Sequence, residues 1–197
     1  MAVSKKIRVV FLLLLGFLLA WSFLTLWVQF TGREMTDRVG DKGAAKEALI
    51  LFNPDPIYNL DEQVCRAFAE GLAENGFFVE LATTALPFKA TNDFDLYIYC
   101  ANTYNWAPDW KITRHIKDNP ALQGKPAVAI TLGAGSTGRS QRLLEQALQQ
   151  RGVRLLGSQS YWLLRPNDES RMEESNVEVA TDMARHFGRE MGKAFSN

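Results

Sequence analysis

The chain has 197 residues, 47% of them apolar, which allows one ordinary domain with a sizeable core plus an appendage. Its 22 basic and 22 acidic side chains cancel, so no net field is available to hold nucleic acid or an acidic surface. Cys65 and Cys100 stand in no Cys-x-x-Cys or Cys/His spacing, which excludes a disulfide framework and a cysteine metal site; both read as small buried apolar residues.

Residues 9–30 form an uncharged run of 22 residues, the length an α-helix needs to cross a hydrocarbon core of about 30 Å. Lys5, Lys6 and Arg8 precede it, and Trp21 and Trp27 lie in its later half. Residues 1–30 therefore read as an uncleaved signal anchor with membrane lipid as the partner of residues 9–30. A signal peptide cut near Ala20-Trp21-Ser22 fits less well, because it would leave residues 23–30 as an apolar mature terminus. The basic flank slightly favours the N-terminus inside and the domain on the extracytoplasmic side.

Residues 31–46 mix charges and Gly with no apolar period and read as a linker, which leaves residues 47–197 as the domain. Residues 48–52 (Ala-Leu-Ile-Leu-Phe) are a continuous apolar run, as expected of a strand buried on both faces, and Asn53-Pro54-Asp55-Pro56 ends it. A helix follows over residues 61–75, with Val64, Phe68 and Leu72 on one face and Asn75-Gly76 at its end. Further strands are expected at residues 77–81, 95–100, 126–131 and 153–156, and further helices at 109–117, 141–150 and 173–195. This alternation predicts a three-layer, doubly wound α/β fold: a five-stranded parallel sheet in the order 2-1-3-4-5, helices on both faces, and one transmembrane helix in front.

In such a sheet a ligand binds outside the carboxyl ends of the strands, at the switch point between the first and third. Three loops meet there: residues 53–59, 101–108 and 132–139. At these residues the chain resembles the flavodoxin-like superfamily, which includes flavodoxins and FMN-dependent flavin and quinone reductases. The resemblance covers residues 46–195. It rests on the first strand with its loop and helix, on Asp95-Leu-Tyr-Ile-Tyr followed by Asn102-Thr103-Tyr104-Asn105-Trp106-Ala107-Pro108, on Gly124-Lys-Pro-Ala-Val before Gly133-Ala134-Gly135, and on Ala184-Arg-His-Phe-Gly188. It implies FMN as cofactor and electron transfer or flavin or quinone reduction as activity. It places the cofactor on Asn53, Tyr58 and Asn59 of the first loop, on Asn102, Thr103, Tyr104, Asn105 and Trp106 of the second, and on Gly133, Ala134, Gly135 and Ser136 of the third.

The first loop departs from the family pattern. Where the family offers hydroxyls and a Gly to an FMN phosphate, this chain has two prolines that remove amide donors and Asp55, whose charge repels a phosphate. In the second loop Tyr104 and Trp106 offer flat faces to a flavin, although Trp106 and Trp110 could equally seal the next helix. The third loop, residues 133–138, spells G-x-G-x-x-G, but no ribose-binding acid follows at the end of the next strand, which argues against a dinucleotide site. Arg139 and the free amides of this loop could instead hold an anion. No catalytic triad or metal cluster forms around His115 or His186. Two functions follow: a membrane-anchored FMN electron carrier or reductase, with a redox partner, or a flavin-free binding or assembly module of a membrane complex.

Overall fold

The computed structural model describes residues 5–30, 32–86 and 93–196; residues 1–4, Thr31, 87–92 and Asn197, which fall in the expected anchor, linker and domain, lie outside the described residues. A helix α1 (Lys5–Phe30) leads into β1 (Thr36–Val39), β2 (Lys46–Phe52), α2 (Leu60–Ala73), β3 (Phe77–Thr83), β4 (Leu96–Tyr104) and β5 (Ala107–Pro108). Then come α3 (Trp110–Asp118), β6 (Pro126–Gly133), α4 (Gly138–Gln150), β7 (Arg154–Trp162) and α5 (Asn176–Ser196).

The sheet runs β1-β3-β2-β4-β6-β7, and β3, β2, β4, β6 and β7 are parallel, which is the expected 2-1-3-4-5 order. Alternation along each central strand builds the two cores. Ala48, Ile50 and Phe52 of β2, with Leu96, Ile98 and Cys100 of β4, face α2 and α5. Leu49 and Leu51, with Tyr97, Tyr99 and Ala101, face α3 and α4. Both faces are covered, so these strands read as unbroken apolar runs in the sequence. Helices α2 and α5 approach closely at two glycines: a Cβ on Gly71 would sit 2.0 Å from the Arg185 carbonyl oxygen, and one on Gly188 2.2 Å from that of Phe68.

Three differences from the sequence reading matter. The segment expected as a linker, residues 31–46, supplies β1, which pairs antiparallel with β3 and covers the sheet's edge. It shows no apolar period because its side chains alternate between exposed and half-buried, and ion pairs of Asp37 with Arg66 and of Arg38 with Glu80 hold it. Strand β7 runs past the expected end at Leu156 to Trp162. Gly157, which has the composition of a turn, lies inside the strand against α5, where an added Cβ would crowd the Met191 sulfur at 2.7 Å and the Phe187 ring at 3.1 Å; Ser158 and Ser160 bond the Gln141 side chain of α4 at 3.0 and 2.8 Å. Finally, the apolar run does not stand clear of the domain. Val28 and Gln29 are buried, and Gln29 Oε1 accepts from the Trp110 amide at 2.9 Å.

Candidate functional site

The loops after β2, β4, β6 and β7 meet at the carboxyl end of the sheet around a pocket of about 150 Å³. Asp55, Tyr58 and Leu60 line one side, Asn102, Thr103 and Tyr104 the floor, and Leu132, Gly133, Ala134, Leu163 and Leu164 the other. Of the residues expected to hold a cofactor, the fold thus gathers Tyr58, Asn102, Thr103, Tyr104, Gly133 and Ala134 in one place.

The others lie elsewhere. Asn53 is buried as a strut: its side-chain oxygen accepts from Thr84 Oγ1 at 3.1 Å and its carbonyl from the Asn102 amide at 3.0 Å. Asn59 takes a left-handed conformation (φ 51°) before α2 and gives its carbonyl to Gln63. Asn105 and Trp106 form the tip of the β4–β5 hairpin, both with positive φ (50° and 59°), and neither lines the pocket: the Asn105 side chain bonds Trp21 and Thr25 of α1, and Trp106 is exposed. Gly135 and Ser136 follow the pocket wall toward α4; a Cβ on Gly135 would lie 3.3 Å from Arg165 Cβ. Leu163 and Leu164 were missed because the sequence reading ended the fifth strand before them.

Asp55 dominates the electrostatics. One carboxylate oxygen accepts the Ile57 and Tyr58 amides at 2.7 and 3.1 Å, and the other accepts the Tyr104 hydroxyl at 2.7 Å. Burial and this carboxylate together push the Tyr104 hydroxyl's pKa up. Asp61, at the start of α2, accepts the Asp55 amide at 2.5 Å, the Glu62 amide at 2.8 Å and the Asn102 side chain at 2.8 Å. Burial outweighs these bonds and raises its pKa from 3.8 to about 6. Asp109 behaves alike. It caps α3 through the Lys111 and Ile112 amides, and burial lifts it to about 6. Behind the site Cys65 and Cys100 are both buried in the core. Burial lowers His115 to about 4, which leaves it a neutral packed group at physiological pH.

FMN, which the resemblance implies, does not fit this arrangement through its phosphate. In the loop of residues 53–59, Pro54 and Pro56 carry no amide hydrogen, and the amides of Asp55, Ile57 and Tyr58 are already held by carboxylates. The α2 N-terminus, the natural seat for an anion, carries Asp61 and Glu62 in its first turn. A phosphate charge about 4 Å from Asp55 would meet repulsion on the order of 4 kcal/mol per charge pair, more than one or two recovered amide bonds return. A pocket of about 150 Å³ is also below the several hundred Å³ usual for cofactors. What it offers instead is an apolar wall of leucines and one buried hydroxyl, Thr103 Oγ1, which has no hydrogen-bond partner among the described residues.

No family model and no curated protein matches the sequence. Solved structures match in shape. A flavodoxin from the domain Archaea superposes with a TM-score of 0.60 at 11% identity, over 77% of this chain and 99% of that one. Megasphaera elsdenii flavodoxin gives 0.51 at 13% identity, over 71% and 98%. The flavodiiron core from Synechocystis gives 0.58 at 14% identity over 79% of this chain and 37% of that one, so the chain spans little more than a third of that protein's length. These likenesses, with the strand order above, show that the chain has a flavodoxin-like α/β fold preceded by one apolar N-terminal helix.

Proposed function

We propose that the protein is a membrane-tethered, flavodoxin-shaped binding module that has given up FMN. The observation that carries this reading is the Asp55 carboxylate, which takes the Ile57 and Tyr58 amides and the Tyr104 hydroxyl that an FMN phosphate and its neighbours would need. A fold does not fix a function, and this rim favours a small uncharged or cationic group over a dianion. The tether is α1, whose residues Lys5–Gln29 are long and apolar enough to cross a bilayer. The basic groups Lys5, Lys6 and Arg8 before it favour an extracytoplasmic domain. In this reading the domain serves as a part of a membrane complex.

A second reading, a membrane-anchored FMN electron carrier or a flavin or quinone reductase, draws on the shared architecture with flavodoxins and on the position of the pocket at the switch point. An absorbance spectrum between 350 and 500 nm of the detergent-purified chain, followed by FMN titration at micromolar concentration, separates the two. The first reading expects colourless protein, no FMN binding, and a partner retained through mild extraction. Yellow protein that releases flavin on heating overturns it in favour of the second.

A further inference from the structure

The domain's exposed apolar side chains are not scattered. Among the described residues the large ones outside α1 are Ile57, Tyr58, Trp106, Trp110, Leu164 and Met172. All six lie on loops or helix starts at the carboxyl ends of the parallel strands, where the pocket opens. Helix α1 joins the domain at the same rim. Trp21 Nε1 donates to Asn105 Oδ1 at 3.1 Å, Asn105 Nδ2 donates to Thr25 Oγ1 at 3.3 Å, and Gln29 holds the Trp110 amide. From Lys5 to Trp21 the helix is about 24 Å long, so a hydrocarbon core of ~30 Å leaves no free helix between the lipid and the residues of α1 that dock on the domain. Trp21, and with it the hairpin tip it bonds, is thereby held against the membrane boundary.

The hairpin tip carries a second signal. A two-residue turn with both φ positive favours Asn-Gly, yet Trp106 occupies the second position at φ 59° and the residue is 59% exposed. A bulky residue held left-handed and left open to solvent is costly in water and well placed in a headgroup layer, where tryptophan concentrates. Arg139 and Arg165, both exposed near the same end, suit anionic headgroups.

We propose that the rim of the domain lies against the bilayer that α1 crosses, with Ile57, Trp106 and Leu164 in the headgroup layer, so that the pocket lined by Tyr58, Tyr104 and Leu164 opens toward lipid. The proposal rests on the tether and is independent of flavin. A ligand of this pocket then arrives from the membrane phase.

The test uses the full chain in phosphatidylcholine/phosphatidylglycerol vesicles. Cys65 and Cys100 are buried, so a cysteine placed at Ile57, Leu164 or, at the opposite end of the sheet, Gln123 takes a nitrobenzoxadiazole label selectively. Labels in Ile57→Cys and Leu164→Cys are expected to be quenched by shallow doxyl-labelled lipid several-fold more than that in Gln123→Cys. Equal, water-like emission from all three in a chain that floats with vesicles after carbonate treatment overturns the rim contact while leaving the tether standing. A chain that does not float overturns both.

Discussion

The hydroxyl of Tyr104, at the end of β4, donates to the Asp55 carboxylate in the loop after β2 at 2.7 Å, and the same carboxylate holds two backbone amides of its own loop. One acidic side chain thus ties the loops after β2 and β4 together at the rim of the sheet, beside the pocket that both loops line.

Replacing that carboxylate should reopen an anion site. Asp55→Ala frees the Ile57 and Tyr58 amides and the Tyr104 hydroxyl, at a stability cost of about 1–3 kcal/mol. Thermal melts with and without millimolar inorganic phosphate are the check: phosphate is expected to raise the Tm of the variant and not of the parent. An equal response of the two proteins would show that Asp55 does not guard the site.

Stability should fall as pH rises through 6. Asp61 and Asp109 both have pKa values raised by burial from 3.8 to about 6. Protons bind the folded state more tightly, so each group's contribution is fully present below pH 3.8 and lost as pH rises through about 6. Each accounts for at most about 3 kcal/mol. Asp109→Asn keeps the oxygen that caps α3 and removes the charge, so its Tm should decline less than the parent's between pH 5 and 7. Parallel Tm–pH curves for the two proteins would refute the assignment.

The contact of α2 with α5 should tolerate no added methyl. In Gly71→Ala or Gly188→Ala the new Cβ meets a backbone carbonyl oxygen at 2.0 or 2.2 Å, and backbone cannot rotate aside as a side chain can. The helices must separate, at about 1–3 kcal/mol or more. Gly76→Ala is the informative partner: no atom lies within 4 Å of its Cβ, and only its left-handed φ of 78° opposes the change. Chemical denaturation should rank both helix variants below Gly76→Ala.

Trp106→Gly should not destabilise the domain in detergent. Relief of the left-handed strain, about 1–2 kcal/mol, offsets the greater entropy of an unfolded glycine, about 0.5–1 kcal/mol. A Tm equal to the parent's or slightly above it is expected; a fall of several degrees would mean that the indole packs the hairpin instead of serving a surface.

The alternation of apolar runs with amphipathic helices was enough to place all five parallel strands and their order, because strands such as residues 48–52 and 96–101 are buried on both faces and carry their environment in their composition. Edges were harder. Strand β1 owes its place to backbone pairing with β3, and the second half of β7 to Gln141 and Met191, neighbours far away in the sequence. The three rim loops were legible because they fall at the ends of legible strands; Leu163 and Leu164 were not, since their strand was cut short.

Asp55 marks the boundary between the two kinds of knowledge. The sequence alone determined that a negative charge and two prolines occupy the first loop, and that an apolar helix precedes the domain, since charge, missing amide hydrogens and hydropathy are properties of residues taken singly. Only the tertiary structure decided that Asp55 holds Ile57, Tyr58 and Tyr104 together, and that the helix end docks beside Asn105 and Trp110. Hydrogen bonds between residues some 50 or 80 positions apart depend on where the sheet brings their loops, and no local pattern encodes that distance.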